Sequence, residues 1–147
     1  MTIYFYAQTD PYAEFSNFAP YGVAFEDEWW PTVEHYFQAQ KFEDEGYQNR
    51  IRICGKPKNA STLGRTRAFP LRDDWEQVKD GLMYVAVKKK FETHPVPSDL
   101  LLGTGDEPIV ENAPMDAYWG CGPDGNGLNK LGLILMQVRA ELQHSIA

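Results

Sequence analysis

The segment that most constrains this chain runs Trp29-Trp30-Pro31-Thr32-Val33-Glu34-His35-Tyr36-Phe37-Gln38-Ala39-Gln40-Lys41-Phe42. Pro31 and Thr32 are helix-entry signals, because proline suits a first turn and a threonine hydroxyl can accept from an amide left open there. Val33, Tyr36 and Phe37 fall at i, i+3 and i+4 and mark the face to be buried. Glu34, Gln38 and Lys41 at i, i+4 and i+7 form a second row, about 10 Å long by helical rise. An ordinary solvated helix face contains such a row too. The aromatic surroundings supply the other reading. Rings strip water from a carboxylate and raise its pKa, while the helix N-terminus opposes that rise. A lysine among Tyr36, Phe37 and Phe42 is pushed the other way, towards a free nucleophilic amine.

The chain has 147 residues, 43% of them hydrophobic, which fits one globular domain spanning positions 1–147. A formal net charge of −7 argues against a protein that coats DNA or RNA. It leaves room for one phosphorylated ligand, or for one nucleic-acid end in a local basic mouth. Cys54 and Cys121 are too few for a disulfide framework, and the three scattered histidines lack metal-ligand spacing. With no dinucleotide fingerprint either, neither a metal nor a cofactor is expected. The N-terminus carries no basic-then-apolar signal and no apolar run approaches a membrane span, so a cytoplasmic protein is expected. Oligomeric state stays open.

In chain order, residues 3–6 read as a strand, and Ser16 and Asn17 follow between Phe15 and Phe18. Those two polar residues either offer hydroxyl and amide to a ligand or satisfy their own backbone in a turn. Residues 23–26 and 28–30 read as two strands meeting at Asp27. Tyr47, Ile51 and Cys54 are spaced for a helix that Gly55 and Pro57 end, with Cys54 a small buried residue. Residues 59–63 form a short helix stopped at Gly64. Arg65 and Arg67 come next, as plain surface or as partners for phosphate oxygens.

Asp74 caps a longer helix, with Gln77 placed to reach back and Trp75, Val78, Leu82, Val85 and Ala86 as its stripe. Trp75 is either core or a ring on which a flat base stacks. Lys88, Lys89 and Lys90 decorate the helix end, where the dipole favours cations. Residues 94–97 close the segment around two prolines, residues 100–102 form a short turn, and residues 108–111 are the last strand candidate. Residues 112–127 hold four glycines and two prolines, a loop long enough that a site is expected in it. Asp116 beside Tyr118 and Trp119 is a carboxylate framed by rings, or a turn cap. Leu128, Leu131, Leu135, Val138 and Leu142 stripe a terminal helix, with Arg139 on its polar side. Gly132 within it costs about 1 kcal/mol against alanine, which makes sense where a backbone or ligand comes close. Asn129 is a cap or a ligand contact.

These motifs together resemble the NADAR, or YbiA-like, family. The resemblance rests on Phe15-Ser16-Asn17-Phe18, the Trp30–Phe42 run, Leu63-Gly64-Arg65, Asp74-Trp75, Lys90-Phe91, Asp116-Ala117-Tyr118-Trp119-Gly120 and Gly127-Leu128-Asn129-Lys130-Leu131-Gly132. It implies a compact α+β domain, mainly helical with a few short strands, and hydrolysis of N-glycosidic bonds. Two substrate groups are implied: phosphoribosylamino-pyrimidine intermediates of riboflavin synthesis, and ADP-ribose attached to guanine in nucleic acid. Both carry a ribose whose anomeric carbon bears an exocyclic amine. On that chemistry Glu34 is expected to be the general acid/base, Asp116 its partner at the sugar, and Lys41 an amine able to hold the sugar as a Schiff base. Trp75 and Trp119 would stack on the base or shield it. Ser16 and Asn17 would contact polar edges, Asn129 would be a further substrate contact, and Arg65 would hold the phosphate. A module that binds ADP-ribose without cleaving it is the rival expectation.

Overall fold

The computed structural model describes residues 1–146. Among them are six α-helices, four three-residue strands and one 3-10 turn, an α+β fold that is mainly helical. The chain groups into two units, Met1–Ala19 with the segment from Phe91 onward, and Pro20–Lys90.

In the Pro20–Lys90 unit, β2 (Val23–Phe25) and β3 (Glu28–Trp30) form an antiparallel hairpin with Val23 opposite Trp30. Its turn residues Glu26 and Asp27 have φ of 50° and 67°, the two positive values that match a tight turn to strand twist. Helix α1 (Val33–Ala39) follows, and the Thr32 hydroxyl accepts from the His35 amide at 3.1 Å. All seven residues of α1 are buried, so the row through Glu34 and Gln38 is no solvated face. The helix also stops short of Phe42. The Lys41 and Phe42 amides donate three residues back, to Gln38 and Ala39 at 3.3 and 3.2 Å, and Phe42 then bridges to Leu71. Lys41 is therefore placed by a turn, and the helical-rise argument does not apply to it.

The acidic run that follows Phe42 opens a helix. Asp44 accepts from the Tyr47 amide at 2.8 Å and caps α2 (Glu45–Arg52). Cys54 falls beyond α2 and is only half-buried. Pro57, expected to end that helix, is instead the first residue of α3 (Pro57–Leu63), where its missing amide is no loss. Helices α1, α2 and α3 pack together. Aromatic rings fill the unit: Phe25 stacks on Tyr36 at 4.2 Å, and Tyr47 meets Phe42 at 5.0 Å and Phe69 at 4.3 Å.

Helix α4 (Trp75–Thr93) departs from expectation at both ends. The Asp74 carboxylate takes two bonds from Arg72 (2.6 and 3.1 Å), while its carbonyl receives the Gln77 and Val78 amides. At the other end Lys90 is 1% exposed with its ammonium 5.9 Å from the Tyr21 ring centre, and Lys89 lies over Phe25. Lys90 is buried and Lys89 half-buried beside these rings, so they are not a solvent-facing decoration. Val85 points outward, and Met83, Ala86, Val87 and Phe91 are buried along with Trp75 and Lys90.

In the other unit, β1 (Ile3–Phe5) and β4 (Ile109–Glu111) pair in parallel, with Ile3 opposite Ile109. Phe15, at the end of the 3-10 turn, sits edge-on to Phe5 at 5.9 Å and beside Phe91 at 6.1 Å. The prolines at 95 and 97 begin α5 (Pro95–Gly103) where the sequence suggested a closing loop, because a first helical turn needs no amide partners. Helix α6 is Lys130–Ile146, so Leu128 lies outside it and is exposed. Leu131, Leu135 and Val138 are buried as expected. Arg139 is buried too, against expectation, and its Nη1 donates to Thr104 Oγ1 at 2.9 Å and the Glu107 carbonyl at 2.7 Å. A Cβ on Gly132 would collide with the Ile109 carbonyl oxygen and the Asn129 amide. Close backbone approach, not a ligand, explains that glycine.

Candidate active site

Glu34 stands in the first turn of α1 and is 7% exposed. Its Oε2 accepts from Gln38 Nε2 at 2.9 Å, the contact that i, i+4 spacing makes possible. Gln38 in turn packs its amide onto Gly64, the residue that ends α3. The Gly64 carbonyl accepts from Lys41 Nζ at 3.3 Å. Glu34, Gln38, Gly64 and Lys41 are thus linked through one glycine, from three different local structures.

Burial pushes the Lys41 pKa down, the Glu34 charge pulls it back up, and Arg65 and Lys79 push it down again. The net direction is down, which raises the share of neutral amine at a given pH. Arg65 is exposed, with Nη2 at 3.4 Å from Thr62 Oγ1, so its guanidinium remains accessible to an anion. His35, fully buried between Glu34 and Tyr36, has a structural part. Its Nε2 bonds the Gly55 carbonyl at 2.8 Å and must carry the hydrogen, so Nδ1 accepts from the Thr32 hydroxyl at 2.8 Å. Trp75 is 6% exposed and packs at 5.1 Å on Phe37. It is core, not an open stacking platform.

Ser16, Asn17, Asp116, Trp119 and Asn129 belong to the other unit. Ser16 Oγ accepts from the Phe18 amide at 3.1 Å, a local turn, and both Ser16 and Asn17 are buried. Asp116 Oδ1 accepts from the amides of Tyr118 and Trp119 at 3.0 and 2.8 Å, so the turn-cap geometry is realised. That cap leaves the next carbonyls free to aim at α6. Tyr118, Trp119 and Gly120 oxygens receive the amides of Lys130, Leu131 and Asn129 (3.1, 3.0 and 3.0 Å), partners that a helix start otherwise lacks. The loop is ordered by this service to α6. Trp119 is half-buried and edge-on to Tyr118 at 4.8 Å.

Asn129, expected as a cap or a ligand contact, braces the neighbouring strand. Its Oδ1 accepts from the Glu111 amide at 3.0 Å and its Nδ2 donates to the Ile109 carbonyl at 2.9 Å, along β4. A φ of 54° aims it there, a conformation asparagine tolerates. In the sequence Gln38 stands in the row with no part of its own, and Gly64 is a helix stop that also belongs to the motif Leu63-Gly64-Arg65, which was the available signal. Its φ of −67° shows that nothing in that backbone requires glycine. No group of three or more His, Cys, Asp or Glu able to hold a metal occurs among the described residues, and no helix there is long and apolar enough to cross a membrane.

Comparison with known proteins extends this picture. The model of the NADAR domain matches residues 4–143. A protein of Nostoc punctiforme named as an N-glycosidase is 48% identical, over 100% of this chain and 96% of its own length. N-glycosidase YbiA of Escherichia coli K12 is 47% identical over 95% of this chain and 88% of its own. The NMR structure of E. coli YbiA superposes with a TM-score of 0.90 at 46% identity, covering 99% of this chain and 86% of that one. A maize chloroplastic protein named riboflavin biosynthesis protein PYRR is 42% identical over 95% of this chain, which spans 25% of its length.

Proposed function

Since this chain belongs to the NADAR domain family, we propose that the bond it cleaves joins a ribose to the exocyclic amine of a heterocycle. It is an enzyme, a hydrolase acting on N-glycosyl bonds. Phosphoribosylamino-pyrimidine intermediates of riboflavin synthesis are the substrates we favour. The riboflavin name of the maize relative supports that reading, as does a net charge of −7, which disfavours long polyanions. ADP-ribosyl-guanine at a nucleic-acid end carries the same bond and is the second substrate to test.

The observation that carries the proposal is a buried carboxylate and a lysine with lowered pKa, joined through Gln38 and Gly64. In the proposed reaction protonated Glu34 gives its proton to the ring oxygen as the C1′–O4′ bond breaks and the exocyclic nitrogen's lone pair forms the C1′=N iminium. The neutral Lys41 amine adds at C1′, and the Glu34 carboxylate passes a proton from the lysine nitrogen to the heterocyclic nitrogen. The C1′–N bond to the heterocycle then breaks, the heterocyclic amine leaves, and the sugar remains as an iminium on Lys41. Water adds at C1′ while Glu34 takes its proton, and the carbinolamine collapses to release ribose 5-phosphate as the aldehyde with Lys41 restored as the amine. Arg65 is proposed to hold the phosphate. Asp116, Trp119, Ser16 and Asn17 are proposed as substrate contacts on the strength of the family motifs alone.

Glu34→Gln is expected to abolish release of ribose 5-phosphate while ligand binding persists. Normal turnover in that variant would remove Glu34 from the mechanism. Borohydride added during turnover is expected to leave a sugar mass on Lys41, and its repeated absence would make Lys41 a contact residue only. Rates measured side by side on the free phosphate and on an ADP-ribosylated oligonucleotide decide between the two substrates.

A further inference from the structure

Gln38 presents an oddity. It is 9% exposed, one end of its amide donates to Glu34, and the oxygen at the other end, Oε1, is buried without a hydrogen-bond partner. Buried polar atoms nearly always find partners, and an apolar side chain of similar shape would avoid the desolvation. The ionised state of Glu34 accounts for the amide orientation. An ionised carboxylate accepts only, so against it the NH2 faces Glu34 and the oxygen faces away. Facing away, it lies where a Cβ on Gly64 would be: that atom would overlap Gln38 Oε1 and approach Gln38 Cδ to 2.7 Å.

Gly64 itself adopts φ −67° and ψ −13°, which any residue accepts. Its lack of a side chain is a matter of room, not backbone freedom. The same residue's carbonyl receives Lys41 Nζ. From these contacts we infer that Gln38, seated on Gly64, is the positioning residue for the Glu34 carboxylate. Its amide holds the orientation of that carboxylate and favours its ionised form through a hydrogen bond made in a buried setting. The inference rests on the reading of Glu34 as the acid/base.

The test is the pH profile of kcat and kcat/KM for ribose 5-phosphate release from the ribosylamino-pyrimidine phosphate. It is run on Gln38→Met, Gln38→Ala, Gly64→Ala and the Gln38→Ala/Gly64→Ala double variant, each checked by thermal unfolding. Gln38→Met keeps the bulk and loses the donor. It is expected to lower kcat at least tenfold with KM within about twofold, and to move the limb that Glu34→Gln removes to higher pH, as loss of a bond to the charged form requires. Gly64→Ala is expected to move the same limb, and to add nothing once Gln38 is alanine.

A wild-type kcat and an unmoved limb in Gln38→Met overturn the inference. So does an equal penalty for Gly64→Ala with and without Gln38, because the glycine would then matter for another reason. An inactive Glu34→Gln beside a normal Gln38→Met sinks only this inference. A fully active Glu34→Gln sinks the acid/base reading and the inference with it.

Discussion

Replacing Asn129 tests whether this side chain is a brace. Alanine there removes two hydrogen bonds, the one from the Glu111 amide (3.0 Å) and the one to the Ile109 carbonyl (2.9 Å). Each is worth about 1 kcal/mol net, and more where the group left behind is shielded from water. Alanine must also hold the φ of 54° that asparagine accepts, at about 1 kcal/mol. The expected loss for Asn129→Ala is therefore about 3–4 kcal/mol, a large part of the roughly 5–15 kcal/mol that holds a domain together. Asn129→Gly loses the same bonds without the backbone strain, and is expected to lose about 2–3 kcal/mol. Urea unfolding followed by circular dichroism, with equal m-values, reads both numbers. A loss under about 1 kcal/mol for alanine, or a glycine variant no more stable than alanine, would refute the reasoning.

Other predictions concern a histidine, a carboxylate and a glycine. Burial outweighs the Gly55 bond and lowers the His35 pKa from 6.5, so the folded ring stays neutral where the unfolded one is protonated. The unfolded state then binds more protons, and stability is expected to fall as pH drops from about 6.5 towards the lowered folded value. His35→Gln should flatten that part of the stability–pH curve, and an unchanged slope would remove His35 as its source. Asp116→Asn keeps an oxygen for the Tyr118 and Trp119 amides, whereas Asp116→Ala does not. If the charge is catalytic, both variants lose turnover at least tenfold while only alanine exposes the 112–127 loop to protease; full activity in Asp116→Asn would leave Asp116 a turn cap. Gly132→Ala, favourable by about 1 kcal/mol in a free helix, is expected to destabilise by about 2 kcal/mol through collision with the Ile109 carbonyl. A rise in melting temperature would contradict that.

Much of the fold could be read where one local signal dominates. Thr32 before a periodic run marked the start of α1, and the positive φ at Glu26 and Asp27 occurs where two strands were seen to meet. Readings went astray where one residue type serves opposite local purposes. Pro57, Pro95 and Pro97 look locally like stops, yet proline fits a helix's first turn as well as the residue after its last. Arg139 and Lys90 were placed outside by charge, but Thr104 with the Glu107 carbonyl satisfies one, and the Tyr21 ring lies against the other. No local pattern announces such distant partners.

The division at the candidate site is the same. By itself the sequence determined which groups were available and that Glu34 and Gln38 share a helix face: they meet because four residues make about one turn, whatever surrounds them. Only the tertiary structure decided that this face is buried, that Lys41 leaves the helix and reaches the Gly64 carbonyl, and that Trp75 and Asn129 are engaged by Phe37 and by the strand Ile109–Glu111. Burial and long-range hydrogen bonding depend on residues far off in the chain, and those set both the pKa of an amine and the freedom of a side chain to meet a ligand.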